Sequence, residues 1–149
     1  MTITIRVADE KDIPAIFDIR TSVRENHLSL AQMTEMGITQ ETILGSLRQA
    51  PCIWVAAYGD DIVGFSMGDA AEACVYAAFV RPEWEGQGIG RRLLDRAEAF
   101  LFERHSSIWL KTDGASRAAG FYERLGWKRM GELASGETRF EKHRPQTSR

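Results

Sequence analysis

Polar and apolar residues alternate over Thr2-Ile3-Thr4-Ile5-Arg6-Val7, the two-residue period of a strand with one face turned inward. The acidic residues of 9–12 and Pro14 then open a helix with an apolar stripe of Ile13, Ile16, Phe17 and Val23, on which Arg20 and Arg24 lie four apart on one face. Over 25–37 the period is lost, Asn26, His27 and Ser29 interrupt it, and a loop is expected. A second helix is predicted over 40–49, with Thr39 as N-cap and Ile43, Leu44 and Leu47 inward. Two runs rich in β-branched and aromatic residues, 52–58 and 61–67, flank Gly59-Asp60 and read as an antiparallel hairpin. The run over 73–81 is the strand that should pair next.

From 88 to 103 the spacing of three and four returns in Ile89, Leu93, Leu94, Ala97, Phe100 and Leu101, which predicts a long amphipathic helix. Residues 107–112 form a fifth strand, and Asp113-Gly114 turns the chain into a short helix with the stripe Ala118, Phe121, Tyr122 and Leu125. Gly126 is placed to end that helix. A last hairpin, 127–133 with 137–142, straddles Ser135-Gly136. No repeat or linker interrupts the series, so 1–143 reads as a single domain and the polar residues 144–149 as a flexible tail. Strands and helices in this mixed order predict an α+β fold, a mixed, largely antiparallel sheet of about seven strands flanked by about four helices.

Composition narrows the partners. The chain has 149 residues, with 19 Lys plus Arg against 21 Asp plus Glu, a formal net charge of −2. No global basic field is available to recruit nucleic acid or an anionic membrane. Cys52 and Cys74 form neither a metal-binding pair nor a disulfide framework, which predicts a reduced, cytoplasmic setting. No cationic segment with an apolar core opens the chain, and no apolar run approaches the roughly 20 residues that span a bilayer.

The most informative stretch joins the fourth of these strands to the long helix: Val80-Arg81-Pro82-Glu83-Trp84-Glu85-Gly86-Gln87-Gly88-Ile89-Gly90-Arg91-Arg92. Glycines at alternate positions let a ligand approach the backbone and tolerate the positive φ values that gather N–H groups into one concavity. The unpartnered N–H groups and dipole of the following helix suit a phosphate or pyrophosphate, with Arg81, Arg91 and Arg92 as further cations and Glu83 and Glu85 offsetting them. A nucleotide P-loop would need Lys and then Ser or Thr after the last glycine, where Arg91-Arg92 stands. The G-x-G-x-G spacing also departs from the G-x-G-x-x-G dinucleotide fingerprint.

These residues resemble the central motif of the GNAT superfamily of acyl-CoA-dependent N-acyltransferases, roughly Val-x-Pro-x-x-(Arg/Gln)-x-x-Gly-x-(Gly/Ala), at Val80, Pro82, Gly88 and Gly90, with Gly86 also common there. The family's Arg or Gln falls on Glu85. A second family segment is matched by Ala118-Ala119-Gly120-Phe121-Tyr122-Glu123-Arg124-Leu125-Gly126-Trp127, except that the Asn often found seven places before the Tyr is Ala115. The two motifs stand in the family's order, and the resemblance covers nearly the whole chain.

The resemblance implies a GNAT-like fold, acetyl-CoA as cosubstrate, no metal, and direct transfer of an acetyl group to a primary amine of a small molecule or peptide. It implies cofactor contacts at Phe79, Val80, Glu85, Gly86, Gln87, Gly88, Ile89, Gly90, Arg91, Phe121 and Arg124. The N–H near Phe79 and Val80 would stabilise the oxyanion, and Tyr122 would protonate the leaving thiolate. Members of this superfamily often dimerise, so a homodimer is among the expected assemblies. No Ser-His-Asp or Cys-His arrangement signals a covalent intermediate.

For the general base, Glu25 is the first candidate because it lies near the acceptor loop, with Glu72, ahead of the central strand, and His27 as others. His105 reads as a residue suited to the C-terminal end of the long helix. Arg20 and Arg24 are candidates to hold an acceptor carboxylate. Trp54, Trp109 and Trp127 read as core or pocket wall, and Trp84 as a cover for part of the cofactor. A non-catalytic acyl-CoA-binding regulatory module with the same fold is the alternative reading.

Overall fold

The computed structural model describes residues 2–23 and 27–145. Seven strands form one sheet: β1 (Ile3–Val7), β2 (Ile53–Tyr58), β3 (Asp61–Asp69), β4 (Cys74–Val80), β5 (Ser107–Thr112), β6 (Lys128–Glu132) and β7 (Thr138–His143). Their order is β1-β2-β3-β4-β5-β7-β6, antiparallel throughout except where β4 lies parallel to β5. Five α-helices accompany the sheet: α1 (Ile13–Ser22), α2 (Leu30–Glu35), α3 (Gln40–Gln49), α4 (Ile89–Phe102) and α5 (Arg117–Arg124). The sequence pattern anticipates every strand and four of these helices.

The exception is α2, which stands inside the predicted loop. Ser29, read as a residue that breaks the pattern, is its N-cap: the Ser29 hydroxyl accepts from the Gln32 N–H at 3.1 Å and the Gln32 side chain accepts from the Ser29 N–H at 2.8 Å. This reciprocal box satisfies two donors at once and nucleates a turn too short to show a period. Met33 is the helix's buried residue.

The long helix carries the core. Every predicted inward position of α4 is buried, with Leu93, Leu94, Ala97 and Leu101 wholly enclosed. Gly64 of β3 allows this close seat: a Cβ there would lie 2.9 Å from Leu93 Cδ1 and 3.0 Å from the Phe79 carbonyl oxygen. Ser66, also on β3 and fully buried, donates its hydroxyl proton to the Leu93 carbonyl at 2.8 Å. The helix is thereby held across the middle of the sheet with its N-terminus beside the end of β4.

One buried charge also ties α4 to the C-terminal half. The carboxylate of Glu98, a position outside the apolar stripe, accepts from Trp127 Nε1 at 3.2 Å and from Lys142 Nζ at 2.8 Å. Trp127 reaches this place because α5 ends in a Schellman motif, with Trp127 N–H bonded to the Tyr122 carbonyl, Gly126 N–H to the Glu123 carbonyl, and Gly126 at φ +94. Removing one partner of such a buried pair strands the other. Glu98→Ala should therefore cost about 3 kcal/mol and Glu98→Gln clearly less in urea unfolding; equal losses would show that packing, not charge, matters there.

Candidate active site

The sheet opens where the only parallel pair among the described residues fails. β4 and β5 are bridged at Cys74 and Trp109, the single register pair between them, and diverge beyond it. A cleft of about 1490 Å³ fills the divergence, lined by residues of both strands, the glycine loop, α4, α5 and the α1–α2 region.

The ladder on the other side of β4 decides which backbone groups face this opening. Arg81 donates its N–H to the Val63 carbonyl at 2.8 Å, and the register pairs Val80 with Gly64 and Phe79 with Phe65. In an antiparallel pair, bonding alternates from residue to residue. Phe79 thus spends its backbone groups on β3, while Val80 and Ala78 turn theirs away from β3. A register shift at Met67/Gly68 leaves Tyr76 as the extra residue of a β4 bulge, and its half-exposed side chain lines the cleft.

The glycine loop performs two separate jobs. Gly86 and Gly88 have φ of +78 and +80 with nothing within 4 Å of an added Cβ, so the backbone angle, not space, calls for glycine. Gly88 is the N-cap of α4 and offers no side-chain acceptor, so the first N–H groups of α4 are left for a ligand. Gly90 lies within α4, where a Cβ would sit 3.7 Å from Val80 Cγ2 and 3.9 Å from Phe121 Cζ.

Of the residues expected to contact the cofactor, Phe79, Val80, Glu85, Gly86, Gly88, Ile89, Gly90, Arg91, Phe121 and Arg124 all line this cleft, as does Tyr122. Gln87 is exposed and is not among the lining residues. Glu25 and Arg24 lie outside the described residues. Two of the arginines expected to face a phosphate are used structurally instead. Arg81 pairs with Asp18 at 2.7 Å and donates to the Ile62 carbonyl, while Arg92 donates to the Ile3 carbonyl at 3.2 Å. Arg91 lines the cleft, and Arg117 and Arg124 of α5 add cations to it. Glu85 is ion-paired with Arg117.

The remaining candidates separate clearly. Glu72 is exposed and away from the cleft lining; its carbonyl accepts from Trp109 Nε1 at 2.8 Å. His105 sits 2.6 Å from the Ala70 carbonyl, a structural bond. His27 lines the cleft with Nδ1 3.1 Å from the Val23 carbonyl. Arg20 lines it too, its guanidinium 4.2 Å above the Phe79 ring. Trp84 lines the edge and packs on Tyr58, ring centroids 5.0 Å apart. Trp127 is buried directly after α5 rather than in a strand.

Sequence reading missed Arg117, Lys111, Glu137, Met33 of α2 and its C-cap Met36, all on the cleft wall. The place of Lys111 on β5, which neighbours the strand that runs into the glycine loop, was the available signal. A hollow of about 810 Å³ near β1 is rimmed by Arg6 and Asp12, which satisfy each other at 2.7 and 3.0 Å.

Tyr122 is wedged among Phe121, Trp127 and Phe140, ring centroids 5.6, 6.1 and 6.2 Å away. Burial, and secondarily the charge of Glu98, pushes its phenol up to about 12 from an ordinary 10.0. As pH rises the unfolded chain releases this proton first. The corresponding stability, intact below about pH 10, is lost toward about pH 12, by up to about 2.7 kcal/mol. Urea unfolding of wild type and Tyr122→Phe from about pH 9 to about pH 11.5 should show the wild type's advantage shrinking; a constant difference would mean an ordinary phenol.

Comparison with known proteins agrees with this geometry. The model of the acetyltransferase (GNAT) domain matches residues 49–129. The peptidyl-lysine N-acetyltransferase YjaB of Salmonella typhimurium is 31% identical over 137 residues, covering 88% of this chain and 87% of that protein. The PaiA N-acetyltransferase of Thermoplasma acidophilum, solved with coenzyme A, superposes with a TM-score of 0.78 at 18% identity, covering 97% of this chain and 100% of that one. YncA of Salmonella typhimurium, solved with acetyl-CoA, gives 0.70 at 18% identity over 100% of this chain and 98% of that one. A glycine loop opening α4 beside strands that part, found in a chain matched over more than half its length by that model, leads to one conclusion: this protein belongs to the GNAT family of acetyltransferases.

Proposed function

We propose that this enzyme transfers an acetyl group from acetyl-CoA directly to a primary amine, and that the acceptor is a lysine side chain of a peptide or a small amine of similar shape. The observation that carries the reading is the shared cleft: the uncapped N-terminus of α4, the outward-turned backbone of Val80 and the phenol of Tyr122 all border one opening. The name of the YjaB relative supports a peptidyl-lysine acceptor.

In this reading the pyrophosphate rests on the α4 N-terminus with Arg91 and Arg124 nearby, and the pantetheine arm runs between β4 and β5. The thioester carbonyl then meets the Val80 N–H. Attack by the amine forms the new C–N bond and places negative charge on that oxygen, where a preorganised N–H is worth on the order of 3 kcal/mol. Collapse of the intermediate breaks the C–S bond, the thiolate takes a proton from Tyr122, and the proton that the new amide nitrogen sheds restores the phenol. A phenol raised to about 12 stays protonated at neutral pH, ready to donate. It is a weak acid toward a thiol near ~8.5, but a dry cleft also raises the thiol and narrows the gap.

The acceptor would enter at the other end of the cleft, past Val23, His27, Leu28, Met33 and Met36. Val23 and His27 flank Glu25 in sequence and both line the cleft, which supports Glu25 as the base that takes the ammonium proton. Apolar walls from α1 and α2 would embrace the methylene stem of a lysine, and the flexible methionines would tolerate varied neighbours.

Two measurements test this reading. Acetyl-CoA and CoA, but not NADH, should raise the unfolding midpoint by several degrees, on the order of 3 to 6 at 100 times the dissociation constant; no shift with either would remove the cofactor assignment. Tyr122→Phe should lower kcat at least about tenfold against a lysine-peptide panel while CoA affinity stays within about twofold. Unchanged turnover would strip Tyr122 of the acid role, and slow thioester hydrolysis with no acceptor would point to a non-catalytic acyl-CoA-binding module.

A further inference from the structure

The acid at position 85, where the family motif has Arg or Gln, has a specific partner. Glu85 stands one residue ahead of Gly86, and its carboxylate is hydrogen-bonded and ion-paired to Arg117 Nη2. Arg117 is the first residue of α5, so the pair spans from the glycine loop to that helix, and both residues line the cleft. The two elements approach closely there, since a Cβ on Gly90 would lie 3.9 Å from Phe121 Cζ. Glu85 thus holds a guanidinium at the cleft that the N-terminus of α4, left without a side-chain cap by Gly88, also borders.

The hold is weak. Both side chains are exposed, 80% for Arg117 and 41% for Glu85, and exposed ion pairs contribute little against water and salt. A pyrophosphate seated at the α4 N-terminus carries more charge, sits where the helix dipole already favours an anion, and presents paired oxygens that match the guanidinium fork. It is the stronger partner for the same group.

We propose that Arg117 is a further cofactor-binding residue, that it supplies the cation the motif lacks at position 85, and that it passes from Glu85 to the pyrophosphate by ion-pair exchange when CoA binds. Glu85 keeps Arg117 at the loop in the empty enzyme and lowers CoA affinity by competing for it. This inference rests on the acetyl-CoA reading above.

Calorimetric titration with CoA tests it. Glu85→Gln, which removes the competing charge, should bind CoA about fivefold more tightly than wild type. Arg117→Ala should bind about tenfold more weakly, and Glu85→Gln combined with Arg117→Ala no more tightly than Arg117→Ala alone. Dephospho-CoA, which keeps the pyrophosphate and lacks the 3′-phosphate, should show the same fivefold gain. Three results would overturn the exchange: no gain in Glu85→Gln, a gain that survives in the Arg117→Ala background, as simple repulsion by Glu85 would produce, or a gain that disappears with dephospho-CoA. Wild type that binds neither ligand would instead refute the cofactor reading itself, whereas wild type that binds CoA beside an unresponsive Glu85→Gln refutes the exchange alone.

Discussion

Two parallel strands that pair at one bridge and then part leave a row of backbone N–H and C=O groups without a neighbouring strand, in the middle of a sheet where such groups are costly to leave unmet. The rest of the molecule is arranged around that gap. β3 pairs with β4 along one side, and the antiparallel β5–β7 pairing holds β5 on the other. α4 lies across the sheet on the close seat that Gly64 permits, which brings its N-terminus to the end of β4. Such a slot offers an extended polar group unpaired backbone along β4 and a helix N-terminus at its end.

The same economy governs the C-terminal half. Gly126 ends α5 in a left-handed turn, which carries Trp127 back under Tyr122 and onto the carboxylate of Glu98. Lys142 from β7 completes that buried set. Tyr122 is therefore held from below by a network whose purpose is rigidity, and its high pKa follows from the burial that the network enforces. Substitutions at Glu98 or Trp127 should therefore be read for stability and for the setting of Tyr122 together.

Charge around the cleft is assigned by competition rather than by count. Arg81 and Arg92 stand next to the glycine loop in sequence but are committed to Asp18 and to backbone carbonyls. Arg117 is distant in sequence and arrives through α5. The protein is slightly acidic overall, with a net charge of −2. The gathering of Arg91, Arg117 and Arg124 at one cleft is therefore a local feature and not part of a global basic field.

The sequence by itself determined the strands, the four periodic helices, the glycine loop and the position of Tyr122, because each is written in local periods and turn chemistry that neighbouring residues enforce. Even α2 was legible in principle, through the Ser29 and Gln32 box, although six residues are too few to display a helical stripe. Tertiary structure alone decided the splay of β4 from β5, the turning of the Val80 backbone toward it, the burial of Glu98 and the pairing of Glu85 with Arg117. Each of these depends on groups tens of residues apart meeting in space, and a chain's local pattern carries no record of which of several nearby cations will reach an anion first.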